Sequence, residues 1–113
     1  MKISKELIKG STAMLVLGVL NGEAMYGYRI IKEIEERSDK TFSMNEGTLY
    51  PVLHALEKEK CLESYWEETE SARKRKYYRI TEKGKKALSE KKAEWTEYAT
   101  GVEKVLRGAY SHA

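Results

Sequence analysis

The chain holds one cysteine, one proline, one phenylalanine and two histidines in 113 residues. A single thiol, Cys61, excludes an internal disulfide, and with only His54 and His112 beside it there is no Cys/His set of the kind that holds zinc. Neither a metal nor a cofactor is expected, and the cysteine usage favours a reducing, cytoplasmic setting. Long apolar runs are missing as well: the longest, Ala13 to Leu20, is eight residues including Gly18. That is far short of the roughly 18 to 20 that span a bilayer. No signal-peptide pattern precedes it, so neither membrane insertion nor secretion is expected. With Pro51 alone and no Ser/Gly/Pro-rich stretch, no linker is visible, and a chain of this length suits one core. No close nucleophile–base pairing, metal-ligand spacing or phosphate-binding glycine loop is present, which argues against an enzyme. Cys61 follows an apolar helix, where it reads as core.

What is present is charge, tyrosine and periodicity. Lys and Arg total 21 against 18 Asp and Glu, a net charge of +3; hydrophobic residues make up 41% of the chain and eight are not merely apolar but tyrosine. That is too much apolar material for a disordered tail. Position is more informative than the total. Residues 1–60 carry nine basic and nine acidic side chains, residues 61–113 twelve and nine, and the window Arg73–Lys86 sets eight basic residues against Glu82 alone, a local +7. A concentrated basic segment points to an anionic partner, although by itself it also fits a solvated surface.

From Lys5 to Leu20 the residues Leu7, Ile8, Met14, Leu15, Leu17 and Leu20 recur at helical steps, with Asn21-Gly22 as a stop. A second amphipathic helix is expected over about Met25–Glu36, with Tyr28, Ile31 and Ile34 on one side. Asn45 caps a third, whose buried stripe is Leu49, Val52, Leu53 and Leu56, with Pro51 placed near its start. The period then changes. Leu62–Glu68 and Arg75–Ile80 flank the polar stretch Thr69–Lys74, which predicts a β-hairpin with a basic tip. Thr81 restarts a helix to about Arg107, along which Leu88, Trp95, Val102 and Ala109 stand seven apart. Three helices, a hairpin and a long helix predict a mainly α, α+β fold: a winged helix-turn-helix over residues 1–81, then a dimerisation helix and short tail over 82–113.

At this point the residues themselves resemble a known family. Tyr26-Gly27-Tyr28-Arg29-Ile30, then Gly47-Thr48-Leu49-Tyr50-Pro51-Val52-Leu53 with Leu56-Glu57-Lys58, then Arg75-Lys76-Tyr77-Tyr78-Arg79-Ile80-Thr81-Glu82-Lys83-Gly84 are together similar to the PadR transcriptional regulators, in particular the short members with one C-terminal helix. The resemblance covers about residues 5–107 and implies a homodimer joined through that helix. It also implies a double-stranded DNA operator with two-fold symmetry, and repression relieved in many members by a small effector. Lys60-Cys61 departs from the pattern, where the family commonly has Gly and an aliphatic residue after the third helix. A Lys in a left-handed cap costs on the order of 1 kcal/mol.

On a wheel of about 100° per residue, Gly47, Tyr50, Pro51, His54 and Lys58 point away from the apolar stripe of the third helix. They are candidate DNA contacts, with Asn45 and Thr48 at the helix N-terminus as phosphate ligands or simply as caps. Arg73, Lys74, Arg75 and Lys76 are expected at the hairpin tip, against the DNA backbone. Arg75 and Arg79 are expected to stay free to contact DNA while Tyr78 and Ile80 pack. Leu88, Trp95, Val102, Val105 and Leu106, with Tyr98 beside them, form a stripe too apolar for water on a charged helix, which a second copy of the chain would cover. Leu7, Gly10, Ala13 and Met14 of the first helix could then leave space beside Trp95 and Tyr98. The resemblance makes this the site for a planar aromatic or drug-like ligand stacked on the indole; packing of Trp95 in the interface is the plainer reading. Glu94 and Glu97 fall off the stripe, so nothing there selects a cation. The alternative function is a winged-helix module that binds protein and not DNA.

Overall fold

Ser4 begins the first helix by accepting the Leu7 N–H on its hydroxyl, and the chain then runs helical from Lys5 to Leu20, α1. The computed structural model describes residues 3–111, so His112 and the end of the expected 82–113 segment lie outside it, as do the side chains of Ala109, Tyr110 and Ser111. After α1 come a two-residue strand β1, Met25–Tyr26, then α2, Gly27–Arg37, and α3, Glu46–Lys58. The hairpin strands are β2, Leu62–Glu68, and β3, Lys74–Ile80, and α4 closes the chain as Glu82–Ser111. The three strands form one antiparallel sheet in the order β1-β3-β2. The expected winged fold is therefore present, with β1 added. Two residues are too short a run for a period-2 signal, and β1 exists because Met25 and Tyr26 pair with Tyr78 and Tyr77.

The core lies where α1, α2, α3 and the sheet meet. Val16, Leu17 and Leu20 of α1, Met25 of β1, Ile30 of α2, Leu49 and Leu53 of α3, and Tyr78 of β3 are essentially sealed from solvent. The stripe of α3 is as expected, with Leu49, Leu53 and Leu56 buried and Val52 packed beside them. On α2 the buried side is Gly27, Ile30 and Ile34, whereas Tyr28, expected on the inner side, is exposed. The two stripes share Ile34, Ile31 packs beside the core, and the buried side is turned by about 70° toward Ile30.

Two helix ends share a device. Lys60 has φ 68°, its N–H donates to the Glu57 carbonyl at 3.0 Å, and the Cys61 N–H donates to the Leu56 carbonyl at 2.8 Å. Asp39 has φ 49° and, with Lys40, repeats that pattern on the Glu36 and Glu35 carbonyls. Both are Schellman closures of the kind that usually place Gly at the left-handed position. The departure from Gly at Lys60 put this cap geometry in question, and the structure keeps the left-handed position with Lys in it. Lys60→Gly should raise stability by about 0.5–1 kcal/mol, the left-handed penalty relieved less the extra freedom of an unfolded glycine. Urea unfolding measures it as a higher midpoint at unchanged slope; an unchanged or lower midpoint would show that Lys60 carries no conformational cost.

The Lys60-Cys61 turn also seats α4. Thr81 donates its hydroxyl to the Lys60 carbonyl at 2.7 Å and its N–H to the Cys61 carbonyl at 3.0 Å, while its Oγ1 accepts the Gly84 N–H at 3.0 Å. From there α4 leaves the body, and the molecule measures 66 Å along its longest axis. Leu88 is only 7% exposed and belongs to the chain's own core, a correction to the expected exposed stripe. The stripe begins one heptad later, at Trp95, where a hollow separates α4 from α1. Trp95, Tyr98, Val102, Val105 and Leu106 are exposed.

Candidate nucleic-acid interface

The exposed side of α3 follows from where its apolar stripe is buried. Gly47, Thr48, Pro51, His54 and Lys58 all face solvent. Asn45 is exposed too, but its Oδ1 accepts the Thr48 N–H at 2.9 Å, so its side chain is committed to capping the helix. Tyr50 corrects the wheel: it is half-buried, and its hydroxyl lies against Gly27 at the start of α2. A Cβ at Gly27 would stand 2.5 Å from Tyr50 Oη and 3.0 Å from Cζ, so that glycine lets the tyrosine ring lie across the junction of the two helices. The ring also sits 6.3 Å from that of His54, tilted against it. Pro51 is the sixth residue of α3 and not near its start. Its missing N–H falls opposite the exposed Gly47 carbonyl, where water or another donor can replace it.

The wing differs more from expectation. The turn is Thr69–Arg73, closed by the Thr69 N–H and hydroxyl on the Arg73 carbonyl at 2.9 and 2.8 Å, so Glu70, Ser71 and Ala72 form the tip. Lys74, Arg75 and Lys76 lie along β3. The register then sets Glu68 opposite Lys74, Glu67 opposite Arg75 and Glu63 opposite Arg79. Counted over both strands and the turn, Leu62–Ile80 carries five basic and four acidic residues, a net +1. The +7 window counted only one of the two strands.

Arg75 and Arg79, expected to be free, are both engaged. The Arg79 guanidinium meets the Glu63 carboxylate at 3.0 Å and lies over the Tyr65 ring, 5.2 Å from its centre; Arg75 lies 4.3 Å from the centre of Tyr26. These arginines and Tyr26, Tyr77 and Tyr65, whose successive ring centres are 5.6 and 5.7 Å apart, cover the outer face of the sheet. Tyr78 is buried on the inner face and Ile80 packs against the core, as expected. Among the described residues Lys58, Arg73, Lys74 and Lys76 make no ion pair.

Between α3 and the inner face of the wing runs a groove of about 460 Å³, lined by Tyr28, Glu46, Tyr50, His54, Trp66 and Lys76 among others. Trp66 and Tyr28 were not anticipated there, since aromatic residues within a strand or on a helical stripe read as packing. The groove's wall is tied to the helix by Ser64, which donates to the Glu57 carboxylate. Burial, and then the nearby Glu57 carboxylate and Tyr50, push the Tyr78 phenol above its ordinary value.

Comparison with known proteins bears on this arrangement. The family model for the transcriptional regulator PadR-like family matches residues 16–90, which span α1 from Val16, the whole winged portion and the start of α4. The chain belongs to that family. A PadR family regulator of Eggerthella lenta is 37% identical, with a TM-score of 0.79 over 89% of this chain and 86% of its own. A transcriptional regulator from Clostridium thermocellum gives 33% identity and a TM-score of 0.82 over 88% and 97%. A Lysinibacillus sphaericus protein, known only as uncharacterized protein X, is 36% identical over 94% of this chain and 97% of its own length. Members of the PadR-like family are transcriptional regulators, and their target is DNA.

A second hollow in this PadR-like chain lies between α1 and α4. It measures about 520 Å³, and Leu7, Gly10, Met14, Trp95 and Tyr98, all expected there, line it. Ala13 does not; it turns toward the core. Phe42, carried in by the α2–α3 turn, and the carboxylates Glu6 and Glu94 with Lys91 also line it. Glu94 therefore faces the hollow, although the heptad set it off the stripe. No helix among the described residues is long and apolar enough to cross a membrane.

Proposed function

We propose that this PadR-like protein is a cytoplasmic, homodimeric transcriptional repressor and not an enzyme. Two chains join through the stripe of α4 and set their third helices in successive major grooves of a two-fold symmetric operator, about 34 Å apart. The observation that carries the reading is the polar face of α3, with His54 and Lys58, standing beside a groove whose far wall bears Lys76. Gly47 keeps the helix start slim for close approach, and Lys58, Arg73, Lys74 and Lys76 supply phosphate contacts. A planar aromatic or drug-like ligand entering the α1–α4 hollow would stack on Trp95 and lower operator affinity; Glu6 and Glu94 in its lining favour a cationic one.

Binding of a duplex from immediately upstream of its own gene, titrated over a salt series, tests the proposal. Lys58, Arg73, Lys74 and Lys76, which make no ion pair among the described residues, predict over two protomers a log–log slope of about −7, at roughly 0.9 for each phosphate contact. Repeating the titration with a planar aromatic cation should weaken binding. A salt-independent association, or none with any upstream duplex, favours a protein-binding module instead.

A further inference from the structure

Trp66 is 64% exposed although it sits in the interior of a strand. Period-2 alternation places it on the same side of the hairpin as Leu62 and Ser64, the side that faces α3, and the register sets it directly opposite Lys76. Leu62 is buried beneath the helix, but the strand then rises past the end of the core, so the indole stands clear of it. Among the described residues it makes no ring contact and its Nε1–H has no hydrogen-bond acceptor. An indole left in water beside an open groove forgoes about 1.5–3 kcal/mol of burial. Packing within the chain therefore does not account for it.

The groove also limits what can cover the indole. Its opposite wall is the exposed side of α3 at His54, its floor is Tyr50, and its charged lining is Arg75 and Lys76 against the single carboxylate Glu46. An occupant must offer an apolar edge to the ring, an acceptor to Nε1–H, and an anion to Lys76. A sugar–phosphate strand of duplex DNA presents all three within one nucleotide: a deoxyribose edge, and the phosphate oxygens on either side of it. We propose that Trp66 is a DNA-backbone contact of the wing, its ring packed on a deoxyribose and its Nε1–H donating to a phosphate, with Lys76 on the adjoining phosphate. The inference rests on the proposed operator binding and names a residue and a contact that the basic wing alone does not supply.

Binding of the upstream duplex and of an unrelated duplex of equal length by Trp66→Ala, Trp66→Phe and Lys76→Gln proteins tests it. Trp66→Ala should lose about tenfold in affinity for both duplexes, the order of one aromatic contact in nucleic-acid binding, with the salt slope nearly unchanged. Trp66→Phe should keep part of the affinity, and Lys76→Gln should flatten the slope by about 0.9 for each protomer. Because an indole can also matter to folding, the second measurement uses the wild-type protein. Acrylamide quenching of the emission lost in Trp66→Phe should fall when duplex is added. Wild-type affinity in a folded Trp66→Ala protein, or undiminished quenching with DNA bound, overturns the contact while leaving operator binding intact. Failure of the wild-type protein to bind any duplex overturns both.

Discussion

Gly84→Ala is expected to destabilise the protein by about 3 kcal/mol, at the upper end of the cost of overpacking a close contact. Helix propensity alone predicts the opposite sign, since Gly84 lies in the first turn of α4 and Ala is the better helix former by about 1 kcal/mol. The tertiary contact decides. A Cβ at this position would fall on the Cys61 carbonyl oxygen, within 3.1 Å of its carbonyl carbon and 2.7 Å from Ile80 Cγ1. The carbonyl cannot retreat easily. It is pinned on one side by the Schellman closure at Lys60-Cys61 and on the other by the Thr81 N–H. Moving α4 instead would break the bonds from Thr81 to Lys60 and from Gly84 to Thr81. Urea unfolding should show the midpoint falling with little change in slope. A midpoint at or above that of the wild-type protein would mean that the start of α4 is free to shift.

Val105→Glu is expected to convert the proposed dimer into single chains of 13.0 kDa and to lower operator affinity by about a hundredfold or more. Val105 is 75% exposed and touches no core of its own chain, so the substitution should leave the monomer's stability nearly unchanged. With Trp95, Tyr98, Val102 and Leu106 it makes a continuous apolar strip on a helix that has left the body. A carboxylate buried in such a strip without a partner is costly enough to separate the chains. The affinity loss follows because two linked reading heads gain from effective concentration what one head lacks. Sedimentation velocity and duplex binding on the same preparation measure both effects. Equal masses for the wild-type and Val105→Glu proteins would remove α4 as the joining surface.

The parts of the fold legible in the sequence are those set by local periodicity and local chemistry. Leu49, Leu53 and Leu56 mark a helix face because three- and four-residue steps return to one side, and Asn45 marks its start because its carboxamide can reach Thr48 N–H. Lys60 stood out only as a departure from the Gly that the resemblance implies, and its left-handed φ was for the structure to show. The features not legible depend on what lies across from a residue. Tyr28 and Ile30 compete for one inner face, and only the packing of α2 on its neighbours shows that Ile30 takes it. Leu88 fits the heptad of Trp95 and Val102, yet α1 covers it and leaves the others open. Arg79 reads as a free cation until the register brings Glu63 opposite it, and Arg75 until the sheet sets it over the Tyr26 ring.

By itself, then, the sequence determined the order of the helices and the hairpin, the α3 stripe, the family, and the presence of an apolar stripe on a charged C-terminal helix. Those depend on neighbours within a few residues, or on motifs whose spacing survives without knowledge of the fold. Only the tertiary structure decided that the wing is almost neutral, that Tyr50 rests on Gly27, that Leu88 is core, and that Trp66 stands in the groove beside α3. Each of these is a contact between residues distant in the chain. Its sign and strength depend on which side chain arrives within a few ångströms, and periodicity along one segment carries no information about what another segment brings.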